Sequence, residues 1–332
     1  MTWSWDLMLH AFRGLGGKID NVARKPGAAG RGLAPIDPER PVRIQVPANL
    51  ILSPSDIEFT GDSIRIKDGT AVGSGERAFL EHYLNDIAWD GGGKAEATAF
   101  IEGLDELPSE VKDLLSSEFA MKPYFEGDNR IHRWFLESRR LGWRAQPAIA
   151  PILDLIEHDS SANPAADQDG LAFSGRFAGD IRMLRSEADP ILFFRRFGYA
   201  SPERIAFSQP LSLTPQGCSI HIKKTVNMSA TIGSAPVPAF EFQNGALDIS
   251  CIMLGNAAYP RVPRGIFRAM TRGLPVADPD HVFDAIQHQN RMIFLGLLQS
   301  LEAHQGRMIG EIRTVAIYQL QAMSFCIGAR EP

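Results

Sequence analysis

The sequence predicts an α+β protein of short β-sheets with a helical insertion, followed by a mainly helical C-terminal domain. Apolar and polar residues alternate with a period of two in Val42–Val46, Asp56–Phe59 and Ser63–Ile66, the pattern of half-buried strands. From about Glu76 to Leu141 apolar residues recur at helical spacing, and Phe283 to Leu301 forms a long apolar stripe near the end. The 332 residues exceed a single core, which stops growing at roughly 250–300 residues. Two domains are therefore expected: residues 1–208, with the helical insertion at about 76–145, and residues 209–332.

Trp3, Trp5, Met8, Leu9 and Phe12 fall near helical spacing before Gly14–Gly17, so a short amphipathic helix opens the chain. Gly27, Gly30, Gly32, Pro35, Pro38 and Pro41 then punctuate irregular backbone ahead of the strand at Val42. Thr60-Gly61-Asp62 joins the next two alternating runs as a hairpin. In the insertion, Phe79, Leu80, Tyr83, Leu84 and Ile87 share one helical face, and Phe100, Ile101 and Leu104 another. Pro147–Leu155 and Gly170–Leu184 return to short apolar runs, and Pro190–Phe197 reads as a short helix ended by Gly198. Pro210–Gly255 is polar and rich in Pro and Gly, a candidate linker with some strand. His281–His304 and Gln305–Phe325 read as two long helices, with Asp278 or Asp280 to cap the first.

Apolar residues at 44% and charged residues at 22% match an ordinary globular protein. A formal charge of -5 gives no overall pull toward nucleic acid or an anionic membrane. Cys218, Cys251 and Cys326 are widely spaced without a C-x-x-C, so no disulfide framework or zinc ribbon is expected, and they read as buried thiols. No run approaches the ~18 apolar residues of a membrane span. The opening residues, with an acid at Asp6, are unlike a secretory signal, so the expected compartment is cytoplasmic.

Gly91-Gly92-Gly93-Lys94 fails as a phosphate loop, because Ala95 stands where Ser or Thr should hold magnesium. Gly14–Gly17 ends a helix where a dinucleotide fingerprint must begin one. Asp278-Pro279-Asp280-His281 carries metal-type ligands, but helix capping explains the same residues. The histidines show no ligand spacing, neither G-x-S-x-G nor H-E-x-x-H occurs, and no metal is expected.

Three segments remain. Gly30-Arg31-Gly32-Leu33-Ala34-Pro35-Ile36, followed by Pro38, Pro41 and a strand ending at Pro47, resembles the SET-domain opening turn and strand. Trp134, Ser138 and Arg139, then Pro151-Ile152-Leu153-Asp154-Leu155-Ile156-Glu157-His158-Asp159-Ser160, resemble W-x-x-x-S-R and P-x-x-D-x-x-N-H-S of the same family. Gly179-Asp180-Ile181 through Asp189 to Phe197-Gly198-Tyr199 resembles the closing G-E-x-I, Y-G-x-x-S-N and L-x-x-Y-G-F pieces. In order and spacing, about residues 15 to 205 are similar to a divergent SET domain of the bipartite type to which Rubisco lysine methyltransferases belong.

The resemblance implies a SET-type fold and methyl transfer from S-adenosylmethionine to an amine of a protein or peptide. It places Gly30, Arg31, Gly32, Arg139, Glu157 and His158 at the cofactor and Ser138 and Asp154 at the substrate wall. Arg185 and Phe197 take the places of two tyrosines, and Tyr199, two residues on, is a candidate replacement hydroxyl. The chain departs from the family there: Glu157 replaces Asn, and both amine-orienting hydroxyls are lost. An unpaired guanidinium ~4 Å from a sulfonium costs about 4 kcal/mol at an effective dielectric near 20; the resemblance makes the two replaced positions neighbours, so Glu157 and Arg185 are expected to pair. Two other outcomes follow from the same residues: a catalytically degenerate SET-like protein-binding or cofactor-sensing module, or a methyltransferase whose substrate presents a carboxylate to Arg185.

Overall fold

Ser4 accepts a hydrogen bond from the Leu7 amide (3.2 Å) and starts the opening helix, Trp5–Gly14, which buries Met8, Leu9 and Phe12. The computed structural model describes every residue except 1–2, 26–31, 145, 186–187, 216–218, 224–227, 233–234, 275, 277 and 327–332. These residues form two compact units, Met1–Glu102 with Asp128–Glu187, and Gly103–Gly127 with Ala188–Pro332. The architecture is α+β, as the sequence patterns indicate.

In the first unit, strands Lys18–Asp20, Val42–Pro47, Gly170–Gly175 and Ala166–Asp167 lie side by side in that order, all antiparallel. Val42, Ile44 and Val46 face the core while Arg43 faces solvent, which is the alternation in the sequence expressed as burial. The expected hairpin pairs Ile57–Thr60 with Ser63–Ile66 around Gly61, at φ 60°. Helix Ser74–His82 runs into a wide-turned helical segment, Tyr83–Gly93, interrupted at Gly92 (φ 120°), and continues as Lys94–Asp105. Arg130–Arg139 returns the chain to the short strands Leu141–Trp143 and Gln146–Ala148.

In the second unit, helix Pro190–Phe197 starts at Asp189 and ends at Gly198, in the left-handed conformation that glycine adopts without strain. Asp189 is fully buried; Oδ1 accepts from Leu192 N (2.8 Å) and Oδ2 from Phe207 N (3.1 Å) and Gln319 Nε2 (2.9 Å). One carboxylate thus joins a helix start, the strand Ile205–Phe207 and the helix Arg307–Met323. Residues 103–127 and 188–208, read from the sequence as part of the first domain, lie in this second unit. Val111, Leu115 and Phe119 bury their side chains there, with Phe119 5.1 Å from Phe294 of the helix Pro279–Ser300.

The stretch read as a linker holds a four-stranded mixed sheet in the order Leu211–Leu213, Ser219–Ile222, Ala246–Ile249, Phe240–Gln243. Buried Ile220, Ile222, Leu247 and Ile249 supply its apolar face. Asp278 caps the helix Pro279–Ser300, accepting from the amides of Asp280 and His281 (both 3.1 Å). Cys251 and Cys326 are half-buried rather than fully buried, and burial still pushes the Cys251 thiol up to about 12; Cys218 lies outside the described residues.

Candidate functional site

Within the first unit the structure gathers three separate pieces of chain. Gly32, at φ 120°, donates its amide to Leu155 O (3.1 Å), and the next residue, Leu33, accepts from the amide of Ile181 (2.8 Å). A side chain at such a φ is strained, so the turn suits glycine. Glu157–His158 pairs in parallel with Arg182–Met183, and Asp159 N continues the ladder to Met183 O (3.1 Å). The opening turn, the 155–158 segment and the 181–185 segment are therefore hydrogen-bonded neighbours.

Arg185 closes the cluster. Its amide donates to His158 Nδ1 (3.3 Å) and Nη1 donates to Ile156 O (3.4 Å), with only 3% of the residue exposed. Because Nδ1 accepts this amide, a ring proton belongs on Nε2. Glu157 is half-buried. No ion pair joins it to Arg185, contrary to the expectation from sequence. Successive strand side chains point to opposite faces: His158 takes the Arg185 side, and Glu157 lies where its charge helps raise the pKa of Lys25. The larger cause there is Asp180, whose Oδ1 receives the Lys25 ammonium at 2.8 Å.

A buried polar network adjoins the 155–158 segment. Arg139 and Asp154 are fully buried, with Nη1 and Oδ2 3.7 Å apart, and Glu96 Oε2 stands 3.9 Å from Arg139 Nη2. Tyr83, also buried, donates its hydroxyl to Asp154 Oδ1 and accepts the amide of Ile152 (2.9 Å). Burial first, then the Asp154 charge, raises the Tyr83 pKa well above its ordinary value, so the hydroxyl stays protonated. Two of the three glycines rejected as a phosphate loop adjoin this network. A Cβ on Gly91 would fall 2.5 Å from the Arg24 guanidinium, which binds Gly91 O (2.6 Å) and Ile87 O (3.2 Å). A Cβ on Gly93 would meet Phe135 at 2.6 Å and Arg139 Nη2 at 3.0 Å.

Other expected site residues are placed as follows. Ser138 is buried on the Trp134 face of its helix, its hydroxyl donated to Phe135 O (2.8 Å). Phe197 and Tyr199 belong to the second unit: Phe197 is buried 4.6 Å from Phe193, and the exposed Tyr199 meets Phe193 edge-on at 5.0 Å. Gly30 and Arg31 lie outside the described residues. Among the described residues no group of three or more His, Cys, Asp or Glu stands where it could hold a metal ion, and no helix is long and apolar enough to cross a membrane.

Neither a family model nor a curated protein matches the chain. Among solved structures, the SET domain of LSMT bound to lysine and AdoHcy aligns over 96% of this chain and 89% of its own, at 10% identity and a TM-score of 0.41. The same domain bound to methyl-lysine and AdoHcy aligns over the same shares at 12% identity and a TM-score of 0.40. Likeness this distant carries no weight for chemistry. Tyr83, Arg24 and Gly91–Gly93 escape a reading by motif, because Tyr83 sits among apolar residues on a helical face and its partners are 69 and 71 residues away. The run of three glycines inside a helical pattern was the available signal.

Proposed function

We propose that the chain is an S-adenosylmethionine-dependent methyltransferase acting on a lysine or other amine of a protein or peptide. The observation that carries this reading is the convergence of Gly32, Leu155–His158 and Ile181–Arg185. Those are the three segments that resemble the SET pattern, far apart in the chain and hydrogen-bonded to one another in space.

The residues present fit such a cofactor at its polar ends. Gly32 keeps a side chain out of the turn, and the half-buried Glu157 offers acceptors to the cofactor's hydroxyls or ammonium. When bound, the cofactor supplies a methyl group on a sulfonium for in-line attack by a neutral amine. The protein's share is alignment and exclusion of water, which are worth several orders of magnitude without any covalent step. Arg139 and Asp154 act in this reading as the wall that holds Leu155–His158. A second reading, a non-catalytic SET-like module that binds a protein or senses the cofactor, is favoured by one observation: Phe197 is buried without a hydroxyl where the resembling family has tyrosine.

Calorimetric titration with S-adenosylmethionine and S-adenosylhomocysteine tests the proposal. A dissociation constant on the order of 1 μM is expected for the native chain. Gly32→Val, checked for folding by circular dichroism, should weaken binding at least about a hundredfold, because a β-branched side chain is strained at this φ. Absence of binding to the native chain defeats the methyltransferase reading.

A further inference from the structure

Ile152 stands out in the backbone: a buried, β-branched residue at φ 71° and ψ -46°, close to the rare and strained classic γ-turn conformation. It lies immediately before the Leu153–Leu155 turn that leads into Ile156–His158. Something must hold it. Its amide has turned away from the local backbone and donates to the Tyr83 hydroxyl (2.9 Å), and the same hydroxyl donates to Asp154 Oδ1. Tyr83 is itself fixed, buried at the start of the wide-turned Tyr83–Gly93 segment. Arg24 holds that segment's Ile87 and Gly91 carbonyls, and its terminal Gly93 abuts Arg139.

We propose that Tyr83 is a positioning residue whose single hydroxyl clamps the strained Ile152 turn and so sets the Leu155–His158 backbone against Gly32 and Arg185. The hydroxyl touches both ends of the turn, accepting at residue 152 and donating at residue 154. Without it a buried amide loses its acceptor and a buried carboxylate loses a donor. The turn then relaxes toward negative φ, carrying Leu155 O away from Gly32 N and Ile156 O away from Arg185. The consequence for ligand binding rests on the cofactor reading above; the consequence for the backbone does not.

The test is Tyr83→Phe, which removes one oxygen and keeps the ring. Hydrogen exchange should show the amides of Ile152 to His158 opening at least about tenfold faster in the variant, against unchanged exchange in the sheet strand Val42–Pro47. S-adenosylhomocysteine should bind about tenfold more weakly, measured at a temperature where both proteins are fully folded. A merely structural tyrosine lowers the melting temperature and leaves both readouts of the folded protein unmoved, and that result overturns the proposal. Faster exchange in a protein whose native form binds no S-adenosylhomocysteine upholds the clamp and defeats only the cofactor reading. If Tyr83→Phe does not fold, exchange in the native chain decides: an Ile152 amide as slow as those of the core strands supports the clamp, and a fast one overturns it.

Discussion

Arg139 and Asp154 show what a residue's surroundings demand of it. Both are fully buried, so each charge is far from water, and the 3.7 Å between Nη1 and Oδ2 marks an ion pair looser than a direct hydrogen bond. Such a pair adds little net stability, yet losing one member strands the other's charge at a cost of about 3–5 kcal/mol. Arg139→Met should therefore lower unfolding stability by that amount in urea titration. The double variant Arg139→Met with Asp154→Asn should recover part of the loss, since neither charge then remains. If the two changes add, the residues are not coupled. The pair was visible in sequence only as two members of a motif. Its third member, Tyr83, was not visible at all, since nothing local distinguishes a tyrosine that packs from one that bridges a turn some 70 residues away.

At the scale of elements, Asp189 joins a helix start to a strand and to a second helix through its two oxygens. Asp189→Ala removes an N-cap and leaves the buried Phe207 amide without this acceptor. Together these predict a loss of about 2–4 kcal/mol, read from the urea midpoint. Asp189→Asn, which keeps an oxygen for the cap, should lose less; an equal loss means that charge rather than capping is the reason for this residue. Elements with strong local patterns were legible. The hairpin Ile57–Ile66 shows its period of two, and the Pro279–Ser300 helix shows both stripe and cap. The sheet of Leu211–Ile249 was not legible, because its strands are three or four residues long and its central pair is parallel, which no local turn announces. The same limit applies to residues 103–127, whose amphipathic helices reveal a face to bury but not the element that covers it.

Acid and base act on the whole molecule through several groups whose shifts share a sign on each side of neutrality. His132, stacked on Phe59 at 3.9 Å, has its pKa lowered by burial, with Asp62 and Lys94 contributing smaller, opposed effects. Below about 6.5, its ordinary value, the unfolded chain therefore takes up a proton that the native chain resists, so stability falls. Asp159, Asp248 and Asp280 are depressed from 3.8 by hydrogen bonds to Ser161, Lys223 and Arg268, and their contributions disappear as pH falls through the lower native values. On the alkaline side Cys251 is raised from 9.0 to about 12, so the unfolded thiol ionises first and stability declines from pH 9 upward. Lys25 and Lys223, raised from 10.5 by Asp180 and Asp248, add to that decline above 10.5. The melting temperature should thus be level between about pH 6.5 and 9 and fall on both sides. The first part of the acid limb, between pH 6.5 and about 5, precedes the carboxylate range and belongs to His132. His132→Gln should flatten that part alone and leave the steeper fall below pH 4 in place. A limb unchanged by the substitution assigns the early loss to another histidine and removes His132 from the acid response.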